Sequence, residues 1–455
     1  MHEVSYKTTI PVSAETLFAW HQQPGAFQRL NPPFMPVRVL HDDGHLGDGA
    51  AVTVRVPDRI AGIKWQLEHF GYQKNEQFCD RQVTGPFRSW EHCHRFRDTG
   101  PGSCQLEDAI RYQWPADLLT GKLADRFFRK NLSRLFRFRH ARTVNDLLLQ
   151  RRYNMAKPLR FLIAGSSGML GTALISFLTT GGHQVTRLVR TRNTSTPWWS
   201  PENNFLDPAA LEGYDVIINL AGENIGSGLW TQQKRKRIHD SRVPATRLMA
   251  EAIASLSDPP RLFIVASGSN YYGNRGEEIL TEASPPGAGF LAGVAAEWEK
   301  ASLPAAAKGV RTVNLRSGAM FSGRYDILAR LRPIWLACCG AVMGDPQNYF
   351  PWIAVDDVIG AVCHIISTPR IMGPVNLVSP GTATAGDFYK TLGKVLHRPV
   401  FMRIPGLAIK SAMGLMGAEL LLNSTRVLPA KLQETGYQFL YADLEAAMRF
   451  YLGRQ

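Results

Sequence analysis

Three glycines, Gly165, Gly168 and Gly171, sit in the stretch F-L-I-A-G-S-S-G-M-L-G from Phe161 to Gly171, directly after an apolar run from Leu159 to Ala164. A strand, a glycine turn and a helix in that order bring backbone N–H groups and a helix N-terminus against a diphosphate. Glycine suits the turn because a Cβ would hold the backbone away from the phosphates. The predicted diphosphate contacts are Gly165, Ser166, Ser167, Gly168, Met169, Leu170 and Gly171. The next strand-like run, Gln184 to Arg190, ends in a cation with Arg192 just beyond. An acid there would hold a ribose 2′-OH, whereas a guanidinium pairs with a 2′-phosphate. Arg190 therefore favours NADP, with NAD as the alternative cofactor and a plain surface arginine as the alternative reading. Leu220, Ala221 and Gly222 end the buried run Asp215–Leu220 with small residues past which a cofactor can lie. A hydroxyl cluster, Ser267, Ser269, Tyr271 and Tyr272, follows the apolar run Leu262–Ala266. Ser267, also a candidate cofactor contact, and Tyr271 or Tyr272 are candidates for catalysis; simple packing of the two tyrosines is the alternative. Glu223 is a candidate carboxylate base, and Arg242 and Ser269 are candidates for holding substrate. The run Lys234-Arg235-Lys236-Arg237 is expected to face solvent.

The elements that must position these residues follow from periodicity. Met169, Leu170, Ala173, Leu174, Phe177 and Leu178 share one helical face before the stop at Gly181-Gly182. Further strands at Arg311–Leu315 and Pro374–Val378, with helices between, predict a doubly wound α/β sheet holding ligands at the carboxyl ends of its strands. Residues 1 to 150 read differently. A strand, Val4–Ile10, leads to a helix, Ala14–Trp20, with Ser13 at its N-cap. Six strand-like segments follow, Val37–His41, Ala51–Val56, Lys64–Tyr72, Gln77–Val83, Arg88–Phe96 and Cys104–Tyr112, then a long basic helix from Ala116 to about Gln150. Leu119, Leu123, Phe127 and Leu135 are expected to form that helix's apolar seam, with Phe128, Leu132 and Phe136 beside it. This order predicts an α+β helix-grip domain, a sheet wrapped on its last helix. Its candidate interior residues are His69, Glu91, His92 and His94; alternation puts His92 and His94 on one face with Trp90. Cross-strand pairing or exposure is the alternative. The domains expected are 1–150, a linker 151–158, a nucleotide-binding domain 159–395 and a small C-terminal domain 396–455.

The net charge of +14 over 455 residues fits anionic partners, here a phosphate-rich cofactor. No aromatic-interleaved platform for bases is visible, so nucleic acid is not expected. No run of about twenty apolar residues exists, so no membrane span is expected, and the polar N-terminus does not read as a signal peptide. Six cysteines without C-x-x-C spacing argue against zinc and a disulfide framework, and for a reducing, cytoplasmic setting.

Two resemblances sharpen this. The element order of residues 1–150, with the segment Ile10 to Phe18, resembles the START-like superfamily, the polyketide cyclase and lipid-transfer group, which implies an apolar ligand. Residues 157–455 resemble the extended short-chain dehydrogenase/reductase superfamily, the epimerase and dehydratase group. The resemblance rests on the glycine turn, Asn219-Leu220-Ala221-Gly222, Ser267 to Gly273, Leu315-Arg316-Ser317-Gly318 and Trp352 to Val358. Asp240-Ser241-Arg242-Val243, Tyr271-Tyr272-Gly273 and Arg426-Val427-Leu428-Pro429 are similar to one epimerase-like branch, whose C-terminal segment is a small domain of unknown function. The superfamily's acid/base is a tyrosine in Y-x-x-x-K. Here Phe290 and Val294 stand in that position, and neither transfers a proton. Asp356 and Asp357 are expected to cap the helix that begins at Val358. The resemblance therefore implies either an NADP-dependent oxidoreductase or epimerase acting on a small carbonyl or sugar-like substrate, or an NADP-binding sensor without turnover. The apolar tail Leu407–Leu422 offers a lid or a homodimer surface, with core packing as the alternative.

Overall fold

The computed structural model describes residues 1–57, 62–115, 121–153, 157–192 and 196–454, with side chains of 121–123 excepted. It divides into two compact units. The first comprises Met1–Asn154 with Ser176–Gly182 and Phe450–Gln455; the second comprises Met155–Ile175 and His183–Arg449.

In the first unit, β1 (His2–Ile10) leads to α1 (Ala14–Gln22) and the short α2 (Ala26–Leu30). Ser13 caps α1 by accepting from the Thr16 N–H. Six further strands follow: β2 (Arg38–Asp42), β3 (Ala51–Val56), β4 (Ile63–Gln73), β5 (Gln77–Thr84), β6 (Ser89–Gly100) and β7 (Ser103–Gln113). They form one antiparallel sheet in the order β1-β7-β6-β5-β4-β3-β2, and α3 (Gly121–Arg152) completes a helix-grip arrangement. The start of the predicted last helix, including Leu119, and the linker residues 154–156 lie outside the described residues.

Three expectations change here. The seam of α3 is Phe128, Leu132, Leu135 and Phe136, packed with Trp90, Ile110 and Tyr112, while Phe127 is 70% exposed. A shift of one residue along a helix turns a side chain by about 100°, so neighbouring apolar residues cannot be ranked without the sheet. Cys79 and Cys93 are joined by a disulfide, against the expectation of none. They face each other directly across β5 and β6, an adjacency that spacing alone does not reveal. Glu91 points outward, while Trp90, His92 and His94 are buried.

The second unit starts with β8 (Arg160–Ala164), α4 (Met169–Thr180) and β9 (Gln184–Leu188). It continues through β10 (Val216–Asn219), α5 (Gln232–Asp240), α6 (Val243–Ser255), β11 (Leu262–Gly268), α7 (Phe290–Ala301) and β12 (Arg311–Ser317). Then come α8 (Val355–Ser367), β13 (Gly373–Leu377) and, near the C-terminus, α9 (Gly406–Leu421). The six strands are parallel in the order β13-β12-β11-β10-β8-β9. Their near-continuous apolar runs reflect burial on both faces. The chain reverses direction across the sheet between β8 and β10, which opens a crevice at their carboxyl ends.

Asp357 does not cap α8. It lies with Asp356 inside the first turn, after the N-cap Ala354, and accepts from the Leu440 and Tyr441 N–H groups at 2.6 and 3.0 Å, tying the C-terminal segment to the start of α8. Burial pushes its carboxyl up to about 7.

Candidate functional site

The glycine turn opens at the crevice. Gly165 has φ +76°, and a Cβ there would come within 2.5 Å of the Leu220 carbonyl carbon. A Cβ on Gly171 would collide with the Gly165 carbonyl oxygen. These two glycines close the turn against β10 and against the start of α4. Gly168 is exposed, and a Cβ there would touch only Gly165 O at 3.3 Å. The turn thus presents Ser167, Gly168 and the first N–H groups of α4 outward, with Ser166 tucked inside. Helix-opening N–H groups have no partner within the helix, so the cradle fits a diphosphate.

The opposing wall is built by Asn219, which is fully buried. Its Oδ1 accepts from the Ala221 N–H at 3.1 Å, and its Nδ2 donates to Thr246 Oγ1 at 3.0 Å. This fixes Leu220, Ala221 and Gly222 as a flat edge. Arg242 lies directly behind Gly222, where a Cβ would meet its guanidinium carbon at 3.1 Å. That guanidinium donates to the Glu223 and Ile238 carbonyls at 2.9 and 3.0 Å and sits 5.1 Å from the Trp298 ring. Burial pulls its pKa down to about 10. Arg242 is committed to the wall itself. Glu223 is likewise engaged: Lys234 donates to it at 2.5 Å and holds its carboxyl below the usual range. Lys234 is buried, against the expectation that the whole basic run faces solvent. Arg190 lies exposed just past β9, and Arg192 packs over Trp198 at 5.7 Å.

At the end of β11 the hydroxyl cluster separates into tied and free groups. Ser267 donates to Glu299 Oε1 at 2.9 Å. Arg316 forks onto both oxygens of Glu299 at 2.7 and 2.8 Å and donates to the Tyr272 hydroxyl at 2.9 Å. Tyr272 is fully buried, bonds Asn376 Oδ1 at 2.6 Å, and has its phenol pushed up to about 12 by burial. Its hydroxyl belongs to the network. Tyr271 is half-buried with the Arg316 guanidinium 3.5 Å over its ring, and its hydroxyl has no hydrogen-bond partner among the described residues. Ser269 is buried in the turn between them. Sequence reading missed Glu299 and Arg316 as the residues that organise this cluster. Glu299 lies nine residues past Phe290 on the same helix, and no short motif marks it.

Phe290 opens α7. Glu419 on α9 accepts from the Phe290 and Leu291 N–H groups at 2.7 and 2.8 Å. A carboxylate there also meets the positive end of the helix dipole. The Phe290 ring stands edge-on to Trp230 at 5.5 Å within a cluster of Ile225, Leu291, Met413, Met416 and Leu420. Its outer edge lines an open groove of about 640 Å³ with Gln232, Gln233, Arg235, Lys236 and His239. Val294 is buried.

Three segments match known families. Residues 10–137 match polyketide cyclase / dehydrase and lipid transport, 161–377 the NAD dependent epimerase/dehydratase family, and 404–450 a domain of unknown function (DUF1731). An epimerase family protein of Mycobacterium leprae is 34% identical over 290 residues, covering 63% of this chain and 94% of that protein. The human epimerase family protein SDR39U1 is 31% identical over 295 residues, covering 64% and 99%. Among solved structures, the nucleoside-diphosphate sugar epimerase from Corynebacterium glutamicum superposes with a TM-score of 0.82 at 31% identity, covering 99% of this chain and 90% of that one. Human SDR39U1 (isoform 2) with NADPH superposes with a TM-score of 0.60 at 28% identity, covering 65% and 99%.

Proposed function

Because the chain belongs to the NAD dependent epimerase/dehydratase family, we propose that it binds NADP(H) on the Gly165–Gly171 turn and acts as an oxidoreductase or epimerase on an anionic, sugar-like carbonyl substrate. The observation that carries this reading is the cradle, where Gly165 and Gly171 leave no room for a Cβ and Gly168 faces outward. The Corynebacterium relative is described as acting on nucleoside-diphosphate sugars, and the human relative binds NADPH. Arg190 and Arg192 beyond β9 fit a 2′-phosphate. Arg235 along the groove fits an anionic substrate, beside Lys236 and His239, which are paired with Asp240 and Glu297.

The nicotinamide, when bound, gives or takes a hydride. The chain's own residues do the rest. Ser267, its proton directed to Glu299, offers lone pairs to a substrate hydroxyl. Tyr271 supplies the free phenol that Phe290 lacks. Glu223, Arg242 and Tyr272 act through the walls they hold. A cytoplasmic location is part of the proposal: the four cysteines outside the disulfide fit it, and the Cys79–Cys93 disulfide weighs against it. The first unit would carry an apolar ligand of the lipid-transport kind.

The test is binding and turnover together. NADPH should bind more tightly than NADH, and R190E should erase the preference. NADPH oxidation by small carbonyls and keto-sugars, and epimer formation from nucleotide sugars in the presence of NADP⁺, should both be lost in S267A and Y271F with NADPH affinity unchanged. A second reading, an NADP-binding sensor, is favoured by Phe290 and Val294, which stand where a tyrosine and a lysine would. Tight NADPH binding with no turnover on any of these substrates would select it.

A further inference from the structure

The inner face of the seven-stranded sheet carries a polar cluster that the dinucleotide site does not use. Strand register assembles it. Asp80 on β5 lies opposite His92 on β6, and His94 on β6 lies opposite Asp108 on β7. All four are more than nine-tenths buried, between 2% and 9% exposed. Their surroundings are aromatic: the Phe78 ring stacks on His94 at 4.4 Å, and Phe136 meets His92 at 5.4 Å.

His92 spans both carboxylates. Its Nδ1 is 3.3 Å from Asp80 Oδ1 and its Nε2 is 2.9 Å from Asp108 Oδ1. The far oxygen of Asp108 is held by His140 Nε2 at 2.6 Å, and His140 Nδ1 meets the Thr8 hydroxyl at 2.8 Å. His94 is different. Its Nδ1 lies 2.6 Å from Asp108 Oδ1, yet the approach is not that of an N–H···O bond, and this nitrogen has no hydrogen-bond partner among the described residues. One donor atom from each of Asp80, His92 and His94 lies within 4.8 Å of the other two. Ligand atoms about 2.0–2.2 Å from a common ion stand about 3–4 Å apart, so small side-chain rotations bring the three into coordination.

The charge balance permits this. Two carboxylates in an aromatic interior are costly unless neutralised. A dication balances both while leaving the imidazoles neutral, the form in which they ligate. We propose that the helix-grip unit holds a divalent first-row transition-metal ion on Asp80, His92 and His94, with Asp108 orienting the His92 imidazole from behind. A histidine ligating through Nδ1 with its Nε2–H on a carboxylate is the usual second-layer support of a metal site. Two histidines and one carboxylate leave positions on the ion open to an oxygen-bearing ligand.

The experiment uses the full chain, tag-free and stripped with a chelator, titrated with Zn²⁺ by calorimetry and with Co²⁺ by visible absorption. One equivalent per chain is expected, with Co²⁺ bands of nitrogen–oxygen coordination. D80N and H94N should each weaken binding by about 10–100-fold, in the range of lost metal contacts. E91Q, on the outer face of the same strand, should bind as wild type. Near-UV circular dichroism reports whether each variant keeps its packed interior. Should D80N and H94N fail to fold, X-ray absorption of the Zn²⁺-loaded wild type still counts the ligands, and two imidazoles are expected. No saturable binding by the wild type, equal affinity in folded D80N and H94N, or a ligand shell without imidazole would each overturn the proposal and leave a hydrogen-bonded polar core.

Discussion

Replacing Glu299 by glutamine tests whether the Ser267 cluster is organised by one buried ion pair. The substitution is nearly isosteric and removes a single charge. Arg316 is 3% exposed, and both of its hydrogen-bonded contacts to Glu299 are short. Burial alone would lower the Arg316 pKa, but pairing with Glu299 outweighs it and raises it. In E299Q the guanidinium stays buried beneath Tyr271 with an amide in place of its counter-charge. Removing one partner of a buried pair costs about 3–5 kcal/mol, whereas removing both is close to neutral. E299Q and R316M should therefore each destabilise the second unit by about 3–5 kcal/mol, and the double variant by clearly less than their sum, with a coupling of about 2–3 kcal/mol. The assay is urea denaturation of all four proteins, with the second unit's transition identified by loss of NADPH binding. Glutamine still offers Ser267 an acceptor, so a large effect reports the charge and not the serine's hydrogen bond. A cost below about 1 kcal/mol for E299Q, or additivity of the two single variants, would refute the argument.

Two further perturbations probe the C-terminal segment. E419A removes a carboxylate that accepts two N–H groups at the start of α7, and should cost about 2–4 kcal/mol in denaturation while E419Q, keeping one acceptor, costs less. The Asp357 carboxyl is raised by burial to about 7, against about 3.9 in an unfolded chain. The unfolded state therefore loses its proton first as pH rises, and stability falls between about pH 4 and pH 7 and levels above it. Wild-type stability minus that of D357N, followed by urea denaturation across pH, should decline through that window by up to about 1.4 kcal/mol per pH unit.

The parallel sheet, its glycine turn and the helix-grip order were legible because each leaves a periodic or punctuated trace along the chain. The apolar runs Phe161–Ala164 and Val216–Ile218 are buried on both faces, and turn glycines are needed where a Cβ collides. What could not be read depends on contacts distant in sequence. Glu299 becomes a site residue only because β12 brings Arg316 beside β11. Asp80 and Asp108 join His92 and His94 only through register, as does the Cys79–Cys93 disulfide. The roles expected of Arg242 and Tyr272 rested on residue type and motif position. The structure spends both on backbone carbonyls and buried partners, which residue type alone cannot reveal.

Phe290 is where family membership and chemistry part, and it offers a direct trial. The ring is half-buried, with one edge against Trp230 and the other on the groove. A hydroxyl added at its tip adds little volume and can reach solvent, so F290Y should change stability by less than about 1 kcal/mol. V294K would bury an ammonium at a position that is 5% exposed, so the tyrosine alone is the informative change. If Tyr271 already supplies the proton, F290Y leaves turnover near the wild-type rate and Y271F abolishes it. If the chain lacks only a phenol, F290Y raises NADPH oxidation while NADPH affinity stays fixed, and Y271F has no effect in that background. Single-turnover rates of wild type, Y271F, F290Y and the double variant separate the two. A loss of turnover in F290Y with folding and NADPH binding intact would mean that the Phe290–Trp230 contact itself shapes the substrate site, and would refute both assignments of the proton.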